Sequence, residues 1–260
     1  MLGLACVVLA TLSVVMGMAW LFQVRTGNAG WADAFWSLGT GGTGVFAVLS
    51  WAGVHPRAIL VAAMVGIWGL RLGLYLTARS WKGPEDARYA HFRTLWGQDF
   101  QTRLFRFLQI QAVAGAVLVL AVAVAAHRPG PLDGFDLVGA VLWAVGWMGT
   151  AIADAQLAWF KRTAIPGSVC DAGLWGYTRH PNYLFEWLGW CGYAAIGCGA
   201  LAAYPIGILG AGACVLMYAL LVHISGIPPL EAHMMRSRPQ AFAAYAARVP
   251  AFWPILRRHG

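Results

Sequence analysis

Charge is what this sequence has least of. Only 11% of its 260 residues are Asp, Glu, Lys or Arg, against about a quarter in an ordinary soluble domain. A soluble globular surface is therefore excluded. Acidic residues are the scarcer sign, 10 against 18 basic ones. Cysteine is limited to Cys6, Cys170, Cys191, Cys198 and Cys214, with no CxxC and no metal-type spacing. Four of the five lie in apolar runs, so they read as small buried hydrophobes rather than disulfides or ligands. No HExxH, P-loop or GxSxG pattern occurs, which removes the common metalloprotease, phosphate-loop and serine-hydrolase signatures. The 7 histidines are scattered, and no metal site is assigned. There is no internal repeat and no low-complexity segment.

Apolar side chains, by contrast, make up 60% of the chain, with 14 tryptophans among them. Indole rings favour the membrane–water interface, and about 20 apolar residues cross a bilayer as a helix. Seven such runs occur: Leu2–Phe22, Ala32–Trp51, Ala58–Thr77, Phe105–Ala126, Leu137–Phe160, Asn182–Ala200 and Tyr204–Ser225. The expected architecture is an all-α integral membrane protein with seven transmembrane helices and a cytoplasmic amphipathic C-terminal helix. One membrane domain covers residues 1–260, with cytoplasmic loops at about 80–103 and 161–181 and a cytoplasmic tail over 226–260. The first run lacks a preceding basic residue and a small-residue cleavage site, so it reads as a retained helix rather than a signal peptide.

Seven crossings place alternate loops on opposite sides, and the basic residues divide accordingly. Fifteen fall on one side. The other side has Arg57 and Arg128, and Arg71 lies inside a span. The positive-inside rule then puts the N-terminus outside and the C-terminus in the cytoplasm, in a multi-pass membrane protein. The net charge of +8 becomes a topology signal, and nucleic acid has no place among the partners. Pro229 to Pro254 mixes Leu230, Met234, Met235, Phe242 and Tyr245 with polar residues, an amphipathic tail broken near Pro239.

The few polar groups within the spans fall at one depth. Asp33 opens the second span. Arg71 lies in the cytoplasmic half of the third, with Tyr75 and Arg79 following at i+4 and i+8. Asp154 and Lys161 stand near the cytoplasmic end of the fifth, Asn182 and Glu186 at the entrance of the sixth, and His223 at the end of the seventh. A charge at a helix centre costs about 2.5–3.5 kcal/mol on insertion scales. Taken singly, each group has a structural explanation: Asp33 as a cap, Arg71 and Lys161 as partners of Asp154 and Glu186. Their gathering in one leaflet points further, to a polar pocket loaded from the cytoplasm. In "GLWGYTRHPNYLFEWLGW" (173–190), Pro181 suits a first helical turn. Asn182 and Glu186 share a face, and Arg179 and His180 precede them at the positive end of the helix dipole.

Gly39-Thr-Gly41-Gly-Thr-Gly44 formally matches GxGxxG. The dinucleotide fingerprint needs a preceding strand, and this run lies within an apolar span. Its structural meaning is close helix approach through small residues.

"GLWGYTRHPNYLFEWLGW", the upstream "DAQLAWFK" (Asp154–Lys161) and the ending "SGIPPLEAHMMRSRPQAFAAYAARVPAFWP" resemble the membrane steroid 5α-reductase superfamily, closest to its bacterial, largely uncharacterised branch. "RTGNAGWADAFWSLG" and "WGLRLGLYLTARSWKGPEDARY" are similar to the same branch, so the resemblance covers most of the chain. It implies seven membrane helices, NADPH bound from the cytoplasmic side, and reduction of a carbon–carbon double bond conjugated to a carbonyl. By position, Asp154 and Lys161 resemble cofactor contacts, and Asn182 and Glu186 the nicotinamide-ribose contacts. Arg71 resembles a third-helix arginine, and Glu231 and His233 fall near C-terminal cofactor contacts. Tyr75, Tyr177 and His180 complete the cofactor-binding set; charge and location add Arg79, Lys82 and Arg179 as phosphate partners. Where steroid reductases carry a Gln-Glu pair and a tyrosine for the substrate carbonyl, this chain has Asp33 and Trp68. The cofactor half therefore matches better than the substrate half.

The resemblance implies an acid that donates to the carbonyl oxygen as hydride arrives. Asp33 serves if burial keeps it protonated; Tyr89, Tyr177 and Tyr183 are the alternatives. The lipophilic substrate enters from the bilayer among the membrane lipids. Isoprenylcysteine carboxyl methyltransferases are similar through the same "RHPNY…E" region and bind S-adenosylmethionine, which makes a methyltransferase the alternative. A non-catalytic membrane scaffold is the third reading.

Overall fold

The computed structural model describes residues 1–254, the side chain of Lys82 excepted. Arg257 and Arg258, with the end of the expected tail, lie outside them. Among the described residues ten α-helices follow in order: α1 Leu2–Thr26, α2 Trp31–Trp51, α3 Pro56–Lys82, α4 Ala87–Trp96, α5 Phe100–Ala126, α6 Gly134–Thr163, α7 Pro181–Cys198, α8 Gly210–Tyr218, α9 Ile227–Ser237 and α10 Pro239–Ala246. No strand occurs among the described residues. The contacts divide into two compact units, Met1–Gly139 with Tyr193–Ala213, and Ala140–Gly192 with Cys214–Gly260.

Among the described residues five helical runs are long and apolar enough to cross a membrane: Leu2–Thr26, Pro56–Trp81, Ala87–Ala126, Gly134–Thr163 and Pro205–Ser237. The expected second and sixth spans fall on the helices α2 and α7, which are not among these five. Both have the length; Gly, Ser and Thr in α2, and Asn, Glu and Gly in α7, dilute their apolar character. The expected seventh span is not a single α-helix. A 3-10 turn covers Pro205–Leu209, α8 follows, and Ala219–Ile224 is π-helical. The tail forms α9 and α10, interrupted at Arg238 before Pro239. The cysteines depart from the expected burial: Cys170 is buried, Cys6 is exposed, and Cys191, Cys198 and Cys214 are half-buried.

In the first unit, α2 packs on α3, and α1 packs on α5 and α2. Glycine decides how closely. A Cβ on Gly41 would stand 2.8 Å from the Gly69 Cα, and one on Gly69 would stand 2.7 Å from the Gly41 Cα. The two helices thus meet backbone to backbone. Gly44 and Gly39 admit Val65 of α3 and Val15 of α1 in the same manner. The GxGxxG run is a packing surface, as the small-residue reading expects.

The loop ends of this unit hold an ion network that the sequence did not announce. Arg57 grips Asp136 with two bonds, Nε to Oδ1 at 2.8 Å and Nη2 to Oδ2 at 2.9 Å. It also donates to the carbonyls of Arg128, Gly130 and Pro131. Arg128 binds Asp136 at 2.7 Å and Asp133 at 2.8 Å. Hydrogen bonds from Arg128 hold the Asp133 carboxyl well below the usual carboxylate range. Arg57 and Arg128 are the two basic residues on the minority side of the charge count. Both side chains are only 1% exposed, and two carboxylates answer them.

Replacing Gly41 with valine forces α2 away from α3 and costs about 1–3 kcal/mol, as overpacking does. The neighbouring Gly42 has open space around its Cβ position, so Gly42→Ala leaves stability unchanged or slightly raised. Thermal unfolding of the two variants in detergent measures the contrast.

Candidate functional site

The first unit gathers its expected residues around the start of α2. Asn28 shapes the entry: its Oδ1 accepts from Gly30 N at 2.8 Å, and its Nδ2 donates to the Ser80 carbonyl at 3.3 Å. A side chain on Gly30 would collide with that Asn28 oxygen. Asp33 then sits in the first turn of α2 and draws three donors. Tyr89 OH donates to Oδ1 at 2.8 Å; Arg88 and Arg79 donate to Oδ2 at 2.5 and 3.4 Å. Tyr89 is buried on α4. The expected donors Asp33 and Tyr89 are therefore one pair, and the phenol is the partner with a proton to give.

Around this pair the charges cancel. Arg88 and Arg79 also bind Asp86 at 3.0 and 3.1 Å. Arg93 binds Glu85 at 2.9 Å, and Glu85 caps the Ala29 N–H. Burial pushes the Asp86 carboxyl upward, but the charge and hydrogen bonds of Arg88, with the charge of Arg79, leave it below its ordinary value. Three guanidiniums thus face three carboxylates. Arg71 is half-buried on α3, with Tyr75 and Arg79 exposed further along it; the Lys82 side chain lies outside the described residues.

The second unit builds its polar groups on the loop before α7. Gly173 adopts φ +60°, where a Cβ would strike Gln156, and the Gln156 side chain accepts from Leu174 N at 3.0 Å. Trp175 Nε1 donates to the Ala153 carbonyl at 3.1 Å, anchoring the loop to α6. Pro181 opens α7 and needs no hydrogen-bond partner there. One residue on, Asn182 Nδ2 donates to Asp154 Oδ1 of α6 at 3.4 Å. Glu186, a turn later, accepts from Trp190 Nε1 at 3.0 Å. Lys161 is exposed at the end of α6, followed by exposed Arg162. Asp154 and Asn182 are thus brought together.

Arg179 takes a role that its charge alone did not suggest. Its Nε and Nη2 bind the two carboxylate oxygens of Glu231 at 2.7 and 3.0 Å. Its Nη1 donates to the carbonyls of Ala246 and Val249, and its backbone N–H to that of Pro250. Four of its five N–H groups are thereby engaged within the chain. His180 Nε2 meets Glu231 Oε1 at 2.9 Å, and its ring stacks on Tyr183 with centroids 5.5 Å apart. The ring is buried, and its Nδ1 has no hydrogen-bond partner among the described residues. Tyr245 OH secures the tail by donating to the Trp175 carbonyl at 2.6 Å. His233 is half-buried on α9, two residues from Glu231 and so on another side of the helix. Tyr177 is exposed in the loop.

The sequence reading missed Glu85, Asp86, Arg88 and Arg93, and it missed the clamp between Arg179 and Glu231. The alternating signs in "PEDARYAHFR" signal the first set. The clamp joins residues 52 apart, and no local pattern announces it. Among the described residues no group of His, Cys, Asp or Glu is arranged to hold a metal ion.

A multi-pass, all-helical membrane architecture is thus the class defined by the five apolar helices and the polar clusters at their ends. Within it, the chain belongs to the family described as "Protein of unknown function (DUF1295)", whose model matches residues 19–249. No curated protein and no solved structure matches the chain.

Burial, the largest influence, pulls His180 below the ordinary histidine value, as does the Arg179 charge; Glu231 pulls it the other way. Above about pH 6.5 the ring is neutral in both folded and unfolded chains. As pH falls below that value the unfolded chain takes up the proton first, so stability falls. His180→Gln removes this contribution. Thermal midpoints of the two proteins between pH 8 and pH 5.5 should show wild type losing more stability on acidification than the variant.

Proposed function

We propose that this chain is an NADPH-dependent membrane reductase acting on a carbon–carbon double bond conjugated to a carbonyl in a lipophilic substrate. The proposal includes the seven-span topology with the C-terminus in the cytoplasm. The observation that carries it is the polar face at the start of α7. Asn182 is joined to Asp154, Glu186 follows one turn on, and His180 is buried with one ring nitrogen unpartnered. An amide, two carboxylates and an imidazole suit the hydroxyls and carboxamide of a nicotinamide nucleotide. Lys161 and Arg162 supply positive charge for its phosphates. Arg179 holds Glu231 and the C-terminal carbonyls in place rather than meeting a phosphate itself. The likeness to the steroid 5α-reductase superfamily supports the same reading, and within it Arg71, Tyr75 and His233 keep their places as cofactor contacts.

NADPH, when bound, supplies a hydride. The protein's own part is an acid for the carbonyl oxygen, where negative charge develops. Tyr89 suits that part better than Asp33, which accepts from its three polar neighbours. Tyr183, stacked on His180, and Tyr177 are the remaining phenols.

One observation favours S-adenosylmethionine-dependent methyl transfer as a second reading. The guanidiniums of Arg79, Arg88 and Arg93 are matched by carboxylates, so this basic cluster is no reserve of free charge that calls for a polyanion.

Thermal unfolding of detergent-purified protein titrated with NADPH, NADH and S-adenosylmethionine tests the proposal. NADPH at about 100 times its Kd should stabilise the protein by about 2.7 kcal/mol, and Asn182→Ala and Glu186→Gln should each remove the effect. Stabilisation by S-adenosylmethionine alone overturns the reductase reading; no response to any of the three favours a scaffold.

A further inference from the structure

Two thiols meet inside the second unit, and neither cluster described above uses them. Cys191 stands midway along α7 and Cys214 midway along α8, 23 residues later. Their Sγ atoms are 2.8 Å apart, about 0.8 Å longer than a disulfide bond. Both residues are free and half-buried. Their chain neighbours are apolar or aromatic, Trp190 before one and Ala213 and Val215 about the other, and Val215 is 67% exposed. In the seven-span topology proposed above, Cys191 and Cys214 fall near the middle of the sixth and seventh spans. Water-soluble disulfides such as oxidised glutathione are poorly placed to reach them.

We propose that Cys191 and Cys214 form a redox-active dithiol, oxidised to a disulfide by a lipid-soluble quinone. The two S–H bonds break and one S–S bond forms. The two electrons and two protons released pass to the quinone, which becomes a quinol. Dithiol and quinone thus balance disulfide and quinol with no further reactant. The product ties α7, which carries Asn182 and Glu186, covalently to α8. Attack by a thiol-bearing reductant would reverse it through a mixed disulfide. The pairing rests on the distance between the sulfurs and stands apart from the reductase proposal; the choice of a quinone as oxidant rests on the seven-span topology included there. Cys6, Cys170 and Cys198 serve as internal controls.

The test uses the full chain, reduced and reconstituted in lipid nanodiscs, with a short-tailed benzoquinone as oxidant. Peptide mapping under non-reducing conditions should show a Cys191–Cys214 cross-link, with the intact mass lowered by two hydrogens and a matching amount of quinol formed. Cys191→Ser and Cys214→Ser should each abolish all three signals, and a thiol reductant should restore the free thiols of wild type. Oxidised glutathione should give far less cross-link than the quinone. A quinone-treated wild type with both thiols still free, or with a cross-link to another cysteine instead, overturns the proposal. Equal oxidation by glutathione disulfide overturns the assignment of the oxidant.

Discussion

A charge enclosed in an apolar helical protein needs a counter-charge or a hydrogen bond close at hand, and that requirement organises the polar contacts of this chain. Removing one partner of a buried pair costs about 3–5 kcal/mol, because the other is left uncompensated. At least eight of the ten carboxylates meet a cationic side chain: Asp33, Glu85, Asp86, Asp99, Asp133, Asp136, Asp171 and Glu231. The exposed pairs, Asp99 with Arg103 and Asp171 with Arg248, add little stability. The buried ones fix loops in place. Arg57, Arg128 and Asp136 lock the connection between α5 and α6, and Arg179 with Glu231 fastens α9 and the chain beyond α10 to the entrance of α7.

The same pairing changes what the basic residues mean. A net charge of +8 in a membrane protein reads first as orientation, and the two arginines on the minority side are those most completely neutralised. Arg79, expected from its charge and location to meet a phosphate, is matched like Arg88 and Arg93 by carboxylates around Asp33 and Tyr89. The polar face of α7 differs from them. The Asn182 amide donates to Asp154, and the Glu186 carboxyl accepts from the Trp190 indole, so each of these two hydrogen bonds has an uncharged donor.

Much of this could be read along the chain because its signals are local. Pro56 and Pro181 begin α3 and α7, Gly27 at φ 72° ends α1, and the small residues of the GxGxxG run mark the seam between α2 and α3. Asp33 and Tyr89 were separately visible as acid candidates. Their pairing was not, because it depends on where α4 lies against α2. Arg57 with Asp136, Arg179 with Glu231, and Cys191 with Cys214 join residues 79, 52 and 23 apart. Packing alone decides such partners, and periodicity carries no trace of them. The last apolar run reads in sequence as one helix; its end at Ala219–Ile224, ahead of Gly226, is π-helical.

Transfer of an isotopic label tests the central functional claim most directly. The protein would be incubated in lipid with NADPH deuterated at the transferable position and a lipophilic enone, and the product examined by mass spectrometry. Deuterium at the carbon β to the carbonyl, absent without the protein, is the predicted result. Saturation without label, or no reduction while a labelled methyl group passes from S-adenosylmethionine to the lipid, would contradict it.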